Sequence, residues 1–161
     1  MNRAILKSPV GYLEIAEENN AIIYIHFIDQ YIEIEENNSF YLRKCIEQLK
    51  KYFSGKLFLF DLKLNPSGTD FQKNVWKEVL KIPFCSTKTY QEIAEAVGDA
   101  GVVRAVGNAN SHNPIPIIIP CHRVVGANGK LTGYAGGIDK KDWLLQHELK
   151  FSNKEMQLGL F

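Results

Sequence analysis

Residues Asn113–Val125 read Asn-Pro-Ile-Pro-Ile-Ile-Ile-Pro-Cys-His-Arg-Val-Val, and no other stretch restricts the chain as tightly. Pro114, Pro116 and Pro120 each fix φ, remove a backbone donor and push the preceding residue out of the helical region, so the segment cannot be helical. The unbroken Ile117, Ile118, Ile119 run marks it as buried. A rigid, buried strap of this kind delivers the residues at its end to a fixed place. Those residues are Cys121 and His122, a thiol next to an imidazole. A thiolate is the strongest nucleophile available from unmodified side chains near neutral pH, and an adjacent base raises its fraction.

A cysteine after an apolar run is more often a small buried hydrophobe than a nucleophile. Here Pro-Cys-His-Arg, with Asn113, Pro114 and Pro116 upstream, resembles the active-site signature of the O6-alkylguanine-DNA alkyltransferases, also called methylated-DNA–protein-cysteine methyltransferases. The resemblance runs from about Phe71 to Glu148. It implies a suicidal repair transferase that takes an alkyl group, chiefly methyl, from guanine O6 in double-stranded DNA onto Cys121, with weaker action on O4-alkylthymine left open. It implies no cofactor and no metal. Two other function classes compete with it: a DNA-binding module without chemistry, and a cysteine hydrolase acting on a non-nucleic substrate.

The rest of the chain divides at Asn65-Pro66-Ser67-Gly68, the clearest linker-like composition present. Residues 1–65 are expected to form a small α/β domain. Tyr12 to Ala16 and Ala21 to Phe27 read as a hairpin turning at Glu17-Glu18-Asn19-Asn20, Ser39 caps a helix ending at Gly55, and Leu57 to Leu64 reads as one more strand. Cys45 lies on the apolar face of that helix and is expected to be inert, and His26 to be structural. The family resemblance implies an RNase H-like layout for this domain.

Residues 66–150 are expected to form a mostly α domain. A helix capped at Thr69 or Asp70 carries Phe71, Val75, Val79 and Leu80 and stops before Pro83. Thr89-Tyr90-Gln91-Glu92 fits a capping box, and the helix it opens ends at Gly98. A second helix, Val102 to Asn110, comes at once, so the pair reads as a helix-turn-helix. Ala105, Gly107 and Ala109 let that second helix approach another surface closely, either DNA or a neighbouring helix. Asn128-Gly129 is a hairpin turn signal, Thr132 to Gly137 a flexible glycine-rich loop, and a final helix starts near Asp139.

The resemblance implies roles position by position. Cys121 is the nucleophile, His122 its base, Glu148 the group that orients the imidazole, Asn113 the hinge before the nucleophile, and Tyr90 the hydroxyl that protonates the leaving base. Val124, Tyr134 and Ala135, with Tyr90, hold the guanine. Arg104, Ala105, Gly107, Asn110 and Arg123 are assigned to DNA, with Arg104 taking the place of the flipped base in the minor groove. Cys85 sits where relatives often carry glycine.

Charge and length agree with this reading. The 161 residues, 45% of them hydrophobic, suffice for a real core, and the net charge of +1 is unevenly placed. Glu14, Glu17, Glu18, Glu33, Glu35 and Glu36 make the early part acidic, while Lys88, Arg104, Arg123, Lys130, Lys140 and Lys141 make the later part basic. Three cysteines without a C-x-x-C pair argue against a disulfide framework and a cysteine-rich zinc site. No membrane span or signal-peptide pattern is seen, so a cytoplasmic monomer is expected. Residues 151–161 are read as a tail, and Gln157, Leu158, Leu160 and Phe161 resemble the peptide by which bacterial repair proteins dock on the sliding clamp.

Overall fold

The computed structural model describes residues 1–36 and 39–157, and the chain forms two compact units, Met1–Ser67 and Gly68–Phe161.

In the first unit β1 (Asn2–Ser8), β2 (Gly11–Glu18) and β3 (Ala21–Ile28) form an antiparallel sheet in that order. The expected hairpin is therefore two strands of a three-stranded meander. Asn19 and Asn20 turn β2 into β3 with φ of 52° and 64°, a left-handed conformation that asparagine tolerates better than most residues. Helix α1 (Phe40–Phe53) is capped by Ser39, whose side chain accepts from the Leu42 amide. Its buried Leu42, Cys45 and Leu49 join Leu13, Ile15 and Ile25 of the sheet in one core. Burial pushes the Cys45 thiol up to about 12, which makes it unreactive at neutral pH. His26 lies exposed and stacks on Tyr24 at 3.9 Å.

Leu57–Leu64 is not a strand. Only Leu64 bridges Ile22, and the segment is otherwise irregular. The alternation that suggested a strand is partly real, since Phe58 is buried and Leu59 is 82% exposed. Its backbone is diverted, however. The Gln48 side chain of α1 accepts from the Asp61 amide at 2.9 Å and donates to the Asp61 carbonyl at 3.0 Å, occupying groups that a ladder would need.

In the second unit α2 (Asp70–Leu80) starts at a complete capping box, Thr69 with Gln72. Trp76 of α2 is buried, and its indole Nε1 donates to the Ala109 carbonyl at 2.9 Å. A two-residue strand β4 (Lys88–Thr89) leads into α3 (Tyr90–Ala96), which opens on a second capping box, Thr89 with Glu92. After Gly98, at φ +101°, a single 3-10 turn, Ala100–Val102, leads into α4 (Val103–Ser111). β5 (Val124–Val125) pairs in parallel with β4, and α5 (Ile138–Gln157) closes the unit.

Asn128 and Gly129 do form a turn, at φ of 61° and 75°, but it is not a hairpin. The strand before it is committed to the parallel pair with β4, which requires a long crossover rather than a tight turn. α5 also runs on to Gln157, so residues 151–157, assigned to a tail from the sequence, are helical. Leu158, Leu160 and Phe161 of the clamp-like peptide lie outside the described residues.

Candidate active site

The strap before Cys121 is pinned from within by Asn113. Asn113 is buried; its Oδ1 accepts from the Ile115 amide at 2.9 Å and its Nδ2 donates to the Ile119 carbonyl at 2.9 Å. Backbone bonds from Ile119 to Ile115 and from Cys121 to Ile119 tighten the loop further. Ile117 is driven to φ +74°, where a β-branched residue is strained, and it is fully buried there. Proline on either side leaves the chain few other routes. The strap ends in a 3-10 turn, Cys121–Arg123, whose three side chains are all buried. Immediately beyond it Val124 and Val125 pair with Lys88 and Thr89, which fixes Tyr90, the first residue of α3, relative to Cys121.

Cys121 is buried, and burial pushes its thiol up to about 11 despite the opposing Asn113 hydrogen bond and Lys141 charge. His122 is wholly buried, and its Nε2 lies 2.7 Å from Glu148 Oε2. A carboxylate can only accept, so Nε2 carries the proton and Nδ1 keeps its lone pair. Nδ1 is buried and has no hydrogen-bond partner among the described residues. Burial lowers the imidazole below its ordinary value, against the pull of Glu148. His122 is therefore a neutral ring with one free basic nitrogen.

Glu148, from α5, is the most heavily used carboxylate in the unit. Its Oε1 accepts from the Cys85 amide at 3.0 Å and from Arg123 Nε at 2.8 Å; its Oε2 accepts from His122 and from Arg123 Nη2 at 2.9 Å. Burial alone would raise its pKa, but the hydrogen bond from His122 and the charge and hydrogen bonds of Arg123 outweigh burial and hold the carboxyl well below the usual range. The ion pair of the site is thus Arg123 with Glu148, a two-pronged fork, and neutral His122 hangs from it.

Two family models match the chain. The 6-O-methylguanine DNA methyltransferase DNA-binding domain matches residues 70–150, and the ribonuclease-like domain of the same family matches residues 1–66. The methylated-DNA–protein-cysteine methyltransferase of Methanosarcina barkeri is 50% identical over 150 residues, spanning 89% of this chain and 94% of its own. The chain belongs to the 6-O-methylguanine DNA methyltransferase family. The crystal structure of Mycobacterium tuberculosis OGT in complex with DNA matches this methyltransferase with a TM-score of 0.86 at 43% identity, covering 94% of each chain. That of the Methanococcus jannaschii O6-methylguanine DNA methyltransferase matches with a TM-score of 0.67 at 29% identity, covering 90% of this chain and 92% of its own.

Two residues assigned to DNA from the sequence of this methyltransferase lie elsewhere. Arg123 is 6% exposed, and Nη1 donates to the Ile82 carbonyl at 2.7 Å while Nε and Nη2 hold Glu148. Three of its five N–H donors are thus committed inward. Asn110 is 3% exposed, and its Nδ2 donates to the Cys121 carbonyl at 3.2 Å. The other three stay outward: Arg104 and Ala105 are exposed on α4, and Gly107 is half-buried with only Tyr90 near the position of an added Cβ, at 3.9 Å. Ala109 instead faces α2, so the small residues of α4 divide between a helix contact and an open face. Val124 is buried, Tyr134 half-buried and Ala135 exposed.

Lys141 carries no signal of its role in the sequence of this methyltransferase. It is fully buried, and its Nζ donates to the Thr132 carbonyl at 2.8 Å, to the Gly133 carbonyl at 3.4 Å and to the Tyr90 hydroxyl at 3.4 Å. The Tyr90 hydroxyl itself donates to the Thr132 carbonyl at 3.0 Å. Burial lowers the Lys141 ammonium to about 8, with Cys121 pulling the other way. Only the helical register would have marked it, because Lys141, Leu144 and Glu148 fall on one buried face of α5. The Ile82 carbonyl and the Cys85 amide, being backbone groups, leave no sequence signal. Cys85 itself is half-buried at φ +60°, a conformation that suits glycine.

Proposed function

We propose that Cys121 is the acceptor in single-turnover repair of O6-alkylguanine in double-stranded DNA, with His122 as base and Tyr90 as proton donor. The observation that carries this is the free Nδ1 of His122, a buried basic nitrogen on the residue next to the thiol, its tautomer fixed by Glu148. The thiol proton passes to Nδ1, directly or through a water, as sulfur attacks the alkyl carbon in line with the C–O6 bond. The S–C bond forms, the C–O6 bond breaks, and its electron pair stays with guanine. Tyr90 protonates the leaving base, and the neighbouring Lys141 ammonium stabilises or refills the phenolate. Atoms and charge balance without a co-reactant. The product thioether is inert to hydrolysis, so each molecule reacts once.

The α4 face bearing Arg104, Ala105 and Gly107 enters the minor groove, and Arg104 replaces the extruded nucleotide in the stack. Main-chain groups at Val124, Tyr134 and Ala135 hold the guanine edge. Asn113 keeps the strap, and with it the attack trajectory, fixed. O4-alkylthymine, with the same alkyl–oxygen bond on a smaller ring, is a weaker substrate. The protein acts as a cytoplasmic monomer, and Gln157, Leu158, Leu160 and Phe161 dock it on the replication sliding clamp. No helix among the described residues is long and apolar enough to cross a membrane.

The test is stoichiometry. A duplex carrying one labelled O6-methylguanine should transfer label to protein up to one equivalent and stop. Continued release of methyl beyond one equivalent would point to a hydrolase and overturn the proposal.

A further inference from the structure

Asn110 and Asn113 both hold the nucleophile's loop, but they differ in what they leave over. Both amide ends of Asn113 are used. Asn110 uses one: Nδ2 donates to the Cys121 carbonyl, which can only accept, so the amide orientation is fixed and Oδ1 is the other end. That oxygen is buried and has no partner among the described residues. Unpartnered buried acceptors are rare and unfavourable, and they persist where a ligand supplies the donor. Asn110 sits on the last turn of α4, bonded to the carbonyl of the reacting cysteine itself. The ligand that the reaction itself brings to Cys121 is the alkylated guanine, whose alkyl group meets the sulfur. Methyl has no donor to give it; a hydroxylated alkyl group does.

We propose that Asn110 is a specificity-determining residue, whose free carboxamide oxygen accepts a hydrogen bond from a hydroxyl on the alkyl group and so favours O6-(2-hydroxyalkyl)guanines over the corresponding plain alkyl adducts. The inference rests on Cys121 being the acceptor, as proposed above. The transfer is unchanged in its bookkeeping: sulfur bonds the first carbon of the hydroxyethyl group, the C–O6 bond breaks, the thiol proton goes to His122, guanine takes its proton from Tyr90, and the hydroxyl is retained on S-(2-hydroxyethyl)cysteine. A site that holds a buried acceptor favours the substrate that supplies the donor, because otherwise the acceptor stays unpaired.

The experiment measures single-turnover rates on duplexes carrying O6-methyl-, O6-ethyl- or O6-(2-hydroxyethyl)guanine for the wild type, Asn110→Leu and Asn110→Ala. Each protein's own methyl rate is its reference. The wild type should process hydroxyethyl about fivefold faster than ethyl, the rate equivalent of one buried neutral hydrogen bond. In both variants that ratio should fall to about one. A wild-type ratio at or below one overturns the proposal without recourse to any variant, as does an unchanged ratio in a variant that still transfers methyl. Failure of the wild type to take methyl at all would instead sink the assignment of Cys121.

Discussion

Replacing Arg123 with methionine probes the electrostatic support of the site. The guanidinium makes three bonds of 2.7–2.9 Å, two to Glu148 and one to the Ile82 carbonyl, in a position 6% exposed. Methionine fills much of the space but supplies no charge, so the buried carboxylate loses its guanidinium partner. Removing one partner of a buried pair costs about 3–5 kcal/mol, more than the pair itself contributes. For a unit the size of Gly68–Phe161, the midpoint should fall by at least about 12 °C at pH 7, from roughly 4 °C per kcal/mol at the low end. The assay is thermal unfolding by circular dichroism, with Glu148→Gln and the double variant alongside. R123M/E148Q should be more stable than R123M alone, because it leaves no uncompensated charge. A loss below about 4 °C in R123M, or a double variant less stable than R123M, would refute the reasoning.

Three further outcomes rest on the same geometry. Arg104→Ala should slow methyl transfer from duplex DNA far more than transfer from the free O6-methylguanine base, since Arg104 is exposed on α4 and remote in role from the chemistry; equal slowing of both would count against a role in the groove. His122 and Glu148 both have lowered values in the folded protein, so the unfolded chain binds more protons in acid and stability must fall as pH falls. The decline should begin near pH 6.5 from the imidazole and steepen below about pH 4.3 from the carboxylate, at no more than about 1.4 kcal/mol per pH unit for each; His122→Gln should remove the first part, and a flat profile from 6.5 to 4.5 in the wild type would contradict its buried neutral state. Lys141→Met removes a cation that lowers the Cys121 thiol, so the pH dependence of Cys121 alkylation by iodoacetamide should move upward, whereas an unmoved curve would leave Lys141 a purely structural clamp.

The parts of the site legible in the sequence are those fixed by local chemistry. The start of α3 is readable because a capping box needs only the Thr89 hydroxyl and a partner three residues on, whereas at α2 the sequence leaves Thr69 or Asp70 as the cap and the structure places it at Thr69. The strap is readable because proline restricts the backbone whatever surrounds it. Long-range assignments fare differently. Arg123 reads from the sequence as an electrostatic support or a DNA contact, but nothing local names Ile82 and Glu148 as the groups it holds, since they lie 41 and 25 residues away. Leu57–Leu64 has the alternation of a strand, yet Gln48 takes its backbone groups, a competition no local pattern reveals. Lys141 and Lys140 are adjacent and alike in sequence, and only the face of α5 separates a buried cation beside Tyr90 from its more exposed neighbour.

The most direct measurement of the central claim is the intact mass of the protein after mixing with a duplex that carries one O6-methylguanine, for the wild type and for Cys121→Ser. The wild type should gain one methyl in place of the thiol hydrogen, mapped by peptide sequencing to Cys121, while the serine variant gains none. Methyl found on Cys85 or Cys45, or a serine variant that still becomes methylated, would contradict the assignment of the nucleophile.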